Sequence, residues 1–167
     1  LQIGYANRGA ALEQLIYVAN AQYQAKGLAV IQKVATPWKV VRHGRQIISA
    51  FPERKSTVDF VGVAAGRPIA FDAKSTRTET RFPLDNIEQH QFEFLQAWHD
   101  QGGIAFILIE FATLDEFYVL PFTDLNEWWV AMYRGGRKSV PYETIRRRCP
   151  RVTAGRGVVL DYLQAVV

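Results

Sequence analysis

Cys149 is the only cysteine among 167 residues, so the chain has neither an internal disulfide nor a cysteine-built metal site. Long apolar runs are also missing. The longest, residues 104–109, falls far short of the roughly 20 residues a membrane-spanning helix needs and suits a buried strand. No P-loop, no G-x-G-x-x-G and no G-x-S-x-G occurs. His43, His90 and His99 therefore lack a nucleophilic serine in that setting, and Cys149 has no evident partner histidine. These absences argue against nucleotide binding through a phosphate loop and against a hydrolase triad. No secretion signal is read at the start, and with one cysteine the expected location is the cytoplasm, with no membrane contact.

Apolar residues make up 49% and charged residues 22%, enough of each for one soluble domain of this length to bury a core. The net charge of +4 is modest, but it is unevenly placed. Arg134, Arg137, Lys138, Arg146, Arg147, Arg148, Arg151 and Arg156 stand against Glu143 alone. A second basic stretch holds Lys33, Lys39, Arg42, Arg45, Arg54 and Lys55 against Glu53. Segregated positive charge points to a polyanionic partner such as nucleic acid, while solvated loops would account for charge alone.

Periodicity orders the chain. Leu12, Leu15, Ile16, Ala19 and Tyr23 have helical spacing over residues 9–26, and a strand follows at 28–33. Residues 38–42 and 46–51 flank His43-Gly44-Arg45 as a basic, projecting hairpin. Residues 57–63 and 68–74 form a second hairpin around Ala65-Gly66, and 76–85 reads as a polar loop. Helical spacing returns at 86–101, then strands at 104–111 and 116–120, a helix at 124–133, a short helix at 142–148 and an apolar terminal element at 158–167. Phe92, Phe94, Trp128 and Trp129 read as core rather than as base-stacking platforms. The fold class is α/β: a mixed central sheet flanked by helices, with a protruding basic β-hairpin.

The second hairpin carries the chemistry. A turn centred on Ala65-Gly66 makes residues whose numbers sum to 131 face each other, which sets Asp59 opposite Asp72. Facing like charges about 5 Å apart are destabilising, so the pair needs a reason, and a divalent cation supplies one. Alternation puts Ile69, Phe71 and Ala73 on one face of the strand and Ala70, Asp72 and Lys74 on the other. Lys74 thus shares the carboxylate face, where it can offset charge growing on a phosphorus centre. On spacing alone, a metal-dependent phosphodiesterase and a structural carboxylate–lysine network both remain open.

Asp59 followed by Asp72-Ala73-Lys74 resembles the D…(D/E)-x-K signature of the PD-(D/E)XK nuclease superfamily. A longer ordered set is similar to the RecU family of Holliday junction resolvases. It comprises Asn7-Arg8-Gly9 with Leu12-Glu13, Thr36-Pro37, Thr57-Val58-Asp59, Gly66-Arg67, Phe71-Asp72-Ala73-Lys74, Phe82-Pro83-Leu84, His90-Gln91, Gly102-Gly103-Ile104 and Asp161-Tyr162. The resemblance implies a restriction-endonuclease-like fold and a single nuclease domain over 1–167, with the hairpin at 37–56 as its stalk. It further implies metal contacts from Thr57, Asp59, Asp72 and Gln91, and transition-state stabilisation by Lys74. Glu13 is a further carboxylate candidate. The implied cofactor is Mg²⁺, with Mn²⁺ as substitute. The implied partners are four-way junction DNA, a second copy of the chain as a homodimer, and recombination proteins. Candidates for DNA contact are Arg8, the hairpin cations Lys39, Arg42, Arg45 and Lys55, and Arg77 and Arg81 after the catalytic strand. The sequence departs from the family pattern in having Asp72 where glutamate is usual, in a shorter stalk segment and in its start, where the basic N-terminal arm is absent or the chain begins after it. Two other readings are a nuclease of the same superfamily acting on other DNA, and a junction-binding module that does not cut.

Overall fold

The computed structural model describes residues 6–52 and 57–167, apart from the side chains of residues 6–8. Helix α1 (Ala6–Ala25) leads into strand β1 (Ala29–Lys33), followed by the hairpin β2 (Trp38–His43) and β3 (Gln46–Pro52). Strands β4 (Phe60–Ala64) and β5 (Arg67–Thr76) form the second hairpin, and β6 (Arg81–Pro83) runs into a short 3-10 turn at Leu84–Asn86. Helix α2 (Gln89–Asp100) crosses over to β7 (Ile104–Phe111), and β8 (Glu116–Pro121) returns. Helix α3 (Phe122–Tyr133), β9 (Ser139–Pro141), α4 (Tyr142–Arg148), β10 (Arg151–Val152) and a 3-10 turn at Tyr162–Ala165 complete the chain.

Six strands form one mixed sheet in the order β1-β4-β5-β7-β8-β10, in which only β5 and β7 run parallel. That parallel pair needs a crossover, and α2 provides it. Leu12, Ile16, Ala19 and Tyr23 of α1 bury one sheet face together with Tyr162 and Leu163. Phe92 and Leu95 of α2, Leu125 and Trp129 of α3 and Ile145 of α4 bury the other. Strand β5 lies inside both layers, so its alternation does not separate core from solvent. Ile69 and Phe71 face the α1 core and Ala70 the α2 core, all fully buried. Phe71 stacks on Phe60 (ring centroids 5.0 Å apart) and on Phe106 (4.7 Å), a three-ring ladder across β4, β5 and β7 that pins their register. Phe92 stacks on Trp129 at 4.5 Å, which places both in the core as their spacing predicts.

Two segments differ from the sequence expectation. The stretch expected as a polar loop contains β6, which pairs with β9 in a separate two-stranded ribbon. The terminal segment is neither helix nor strand over most of its length and is held by side chains instead. Arg156 donates to both oxygens of Asp161 at 2.7 Å, the Tyr23 hydroxyl donates to Asp161 Oδ1 at 3.0 Å, and the Tyr162 hydroxyl donates to Asn20. This latch docks the chain end on α1. The Arg156 guanidinium, outweighing burial, holds the Asp161 carboxyl below the usual carboxylate range. Because the folded value lies below the unfolded one, the latch contributes fully above the unfolded-state value near 4 and is lost as pH falls through the folded value. Asp161→Asn is therefore expected to cost roughly 1.5–3 kcal/mol at neutral pH and progressively less on acidification. Thermal melts across pH check this; parallel wild-type and variant curves would deny the latch its charge.

Candidate nuclease site

The turn that sets the site is local. Ala65 and Gly66 both have positive φ (49° and 75°), as a two-residue hairpin turn matched to strand twist requires. From it the register runs Ala64↔Arg67 to Phe60↔Phe71, and the next step outward brings Asp59 to Asp72 as expected. The two residues brace each other. The Asp59 backbone N–H donates to Asp72 Oδ1 at 3.0 Å, and the Ala73 N–H donates to Asp59 Oδ2 at 2.9 Å. Each carboxylate thus holds the other strand's backbone, so their separation cannot relax without breaking both bonds.

Asp72 is fully buried and Asp59 half-buried. The Lys74 ammonium lies 2.7 Å from Asp72 Oδ2, while its directed hydrogen bond goes to Gln91 Oε1 at 3.1 Å. Asp72 Oδ2 is consequently a buried anion with a neighbouring cation but no hydrogen bond of normal geometry. Burial pushes the Asp72 carboxyl up to about 7, with Lys74 pulling it down and Asp59 pushing it further up.

Gln91 is the third residue of α2 and is buried. Its Oε1 accepts from the Glu88 N–H at 3.0 Å as well as from Lys74. The same oxygen therefore caps the helix and fixes the lysine, which ties the start of α2 to β5. Glu13 on α1 forms an ion pair with Lys33 on β1. Burial lowers the Lys33 pKa, but Glu13, with Asp59 farther off, more than reverses this and holds the ammonium above its usual value. Glu13 is thus paired with Lys33, and no hydrogen bond or ion pair among the described residues brings it into contact with the two aspartates. Thr57 is exposed two residues before Asp59.

At the end of β5 a cleft of about 440 Å³ is lined by Gly9 of α1, by Ala73 to Thr78, and by Pro83 and Asn86. Arg77 lines it, and Arg81 is exposed on β6, the strand whose last residue, Pro83, lines it. Lys39, Arg42 and Arg45 sit on the β2–β3 hairpin, whose residues 38–52 are all exposed, including Trp38, Ile47, Ile48 and Phe51. The side chain of Arg8, and Lys55 altogether, lie outside the described residues. Cys149 is buried and its thiol is pushed up to about 12, so it is no nucleophile. No helix among the described residues is long and apolar enough to cross a membrane.

Among the described residues no group of three or more His, Cys, Asp or Glu side chains could hold a metal. The donors that converge are two carboxylates and an amide oxygen, a hard, all-oxygen set low in charge. That set fits Mg²⁺, which takes one or two carboxylates and fills its remaining positions with water and phosphate oxygens. Asp72 Oδ2 has no partner besides the Lys74 ammonium, so this buried oxygen is faced by positive charge alone.

A family model described as Recombination protein U matches residues 7–167. The Holliday junction resolvase RecU of Limosilactobacillus fermentum is 44% identical over 168 residues, covering 97% of this chain and 80% of that protein. The Holliday junction resolvase RecU of Geobacillus kaustophilus is 37% identical, covering 97% of this chain and 84% of that protein. Among solved structures, Archaeoglobus fulgidus Hjc, a Holliday junction resolvase from an archaeal hyperthermophile, superposes with a TM-score of 0.50 at 12% identity. The match covers 85% of this chain and 94% of that one, a likeness of fold.

Proposed function

The chain belongs to the recombination protein U family, and from that premise we propose that it is a Mg²⁺-dependent endonuclease that resolves four-way DNA junctions. The observation that carries this reading is the braced pair Asp59 and Asp72, with the Lys74 ammonium 2.7 Å from Asp72 on the same sheet face.

Asp59 and Asp72 would hold the cation, for which Mn²⁺ can substitute, with Thr57 and Gln91 as its further contacts. Gln91 acts through a coordinated water, because its Oε1 already accepts from Glu88 and Lys74. When bound there the cation polarises a phosphoryl oxygen and lowers the pKa of a coordinated water. The remaining work falls to the chain. Lys74 places a fixed positive charge where negative charge grows on the phosphate oxygens, and Gln91 keeps its ammonium from swinging away. Glu13 offsets Lys33, so that this second cation does not compete for the Asp59 carboxylate. Arg77 in the cleft lining and Arg81 on β6 receive the phosphates on either side of the scissile bond. Arg8 and Lys55 are further candidates for phosphate contact.

Residues 1–167 act as one nuclease domain, and the hairpin within 37–56 is its stalk. Lys39, Arg42 and Arg45 contact the strands that meet at the junction centre. Two symmetric cuts need two sites, and a two-fold dimer supplies them on a two-fold substrate. Recombination proteins in the cytoplasm are the further partners.

Synthetic four-way junctions and linear duplexes of the same sequence, incubated with Mg²⁺ or with chelator, test the reading. Paired, symmetric cuts in the junction are expected, with little cutting of the duplex and none under chelation. Equal cutting of both substrates would favour a nuclease for other DNA. Binding without cutting would favour a junction-binding module.

A further inference from the structure

The basic run between Arg134 and Arg156 divides in two. Arg146 faces Glu143 at 3.8 Å, Arg148 faces Asp124 at 2.6 Å and Glu127 at 2.9 Å, Arg151 faces Glu116 at 3.2 Å, and Arg156 is latched to Asp161. These four cations are ion-paired within the fold, whereas Arg147, exposed on α4, has no ion-pair partner among the described residues. Arg134, Arg137 and Lys138 are exposed and have no ion-pair partner among the described residues.

Both ends of the segment 134–138 are fastened to elements that build the catalytic site. At its start, the Tyr133 hydroxyl donates to Gln89 Oε1 at 2.9 Å, and Gln89 opens the helix that carries Gln91. At its end, the Leu84 N–H donates to the Lys138 carbonyl at 3.0 Å, and Ser139 pairs with Pro83. Pro83 and Asn86 line the same cleft as Lys74. The buried pair Phe82 and Val140 anchors this ribbon in the core.

The segment is also fixed in shape. Gly135 takes a positive φ of 86°, and the Gly136 N–H donates to the Ala131 carbonyl at 2.9 Å. A Cβ on Gly136 would sit 2.7 Å from that carbonyl oxygen, so the chain closes against α3 as only glycine allows. The backbone that carries these three cations is thereby fixed, and at Lys138 it is bonded to Leu84, next to Pro83 of the cleft lining.

We propose that Arg134, Arg137 and Lys138 form a phosphate-binding rail that holds the backbone of the duplex arm leaving the catalytic cleft. The inference rests on the junction-cutting reading and names a surface of that same site. The ligand chemistry is a row of phosphodiester anions, read without regard to base sequence. Asp124, Glu127 and Glu143 offset Arg146 and Arg148, leaving Arg147 as the one unpaired arginine of α4, so the denser unpaired charge lies on the segment 134–138.

The test is fluorescence anisotropy with a labelled four-way junction and no divalent metal, repeated across a salt series. For Arg137→Ala/Lys138→Ala the slope of log affinity against log salt is expected to be shallower by about 1.8, at about 0.9 per phosphate contact. Affinity at about 0.1 M salt is expected to fall roughly 50-fold. Arg137→Gln/Lys138→Gln, which keeps polar side chains, should lose the same slope, and Lys138→Arg should keep it. An unchanged slope in both double variants, with wild type binding and cutting junctions normally, overturns the rail and leaves the resolvase reading intact. Wild type that neither binds nor cuts junctions overturns both.

Discussion

Replacing Asp72 with asparagine is expected to slow junction cutting about 10³-fold while leaving metal-free junction binding near the wild-type level. The substitution is close to isosteric. An asparagine oxygen at the Oδ1 position still accepts the Asp59 N–H, so the β4–β5 brace survives. What disappears is the charge. Asp59 alone then opposes Lys74 and Lys33, and the site no longer offers a divalent cation two anionic oxygens. The DNA-contacting cations proposed above lie elsewhere, on the hairpin, on Arg77 and Arg81 and on the segment 134–138, so the substrate should remain bound. Gel-based cleavage under single-turnover conditions, paired with anisotropy binding, separates the two effects. Cutting at the normal rate would remove Asp72 from the chemistry. Lost binding together with lost cutting would mean that the carboxylate shapes the fold more than the reaction.

That pair was legible from sequence because everything defining it is local. A two-residue turn sets the hairpin register, a period of two sets the face, and both act within a few residues of Ala65-Gly66. The three-ring ladder through Phe71 then holds the register in the folded chain. Gln91 was legible only in part. Its nearness to the site follows from its place at the start of α2, but its grip on Lys74 depends on the helix beginning at Gln89, and helix ends are poorly marked by periodicity. The partner of Glu13 was not legible, because Lys33 meets it from a different element. The ribbon of β6 and β9 was missed for a related reason. Three-residue strands ending in Pro83 and Pro141 leave no room for alternation, and their pairing spans α2, β7, β8 and α3. The consequence is functional. Without that ribbon, Arg137 and Lys138 look like part of one long basic tail; with it, the backbone that carries them is fixed next to the cleft lining, apart from arginines already spent on salt bridges. The Asp161-Tyr162 motif shows the reverse case, since a pair that reads as part of a nuclease signature serves here to fasten the chain end to α1.

Adding Mg²⁺ to the wild-type protein is expected to raise its melting temperature, and Asp72→Asn is expected to abolish the rise. Two carboxylates braced face to face, one of them fully buried, are a cost to the metal-free fold that a cation relieves. The unfolded chain cannot hold Asp59 and Asp72 together, so the cation binds the native state alone. At a concentration one hundred times its dissociation constant, such a ligand stabilises by about 2.7 kcal/mol. For a domain of this size that corresponds to a shift of about 5–10 °C. Asp72→Asn removes the like-charge contact as well as the site. It also leaves the Lys74 ammonium without the carboxylate 2.7 Å away, so the two effects on the metal-free melt oppose each other and the readout is the cation-induced rise itself. Calorimetric or fluorescence melts with Mg²⁺ and with Mn²⁺ read this without any nuclease activity. A rise of equal size in both proteins would place the cation somewhere other than on Asp72. If neither cation shifts the wild-type melt, the carboxylate–lysine cluster is a structural network, the alternative that the spacing alone left open.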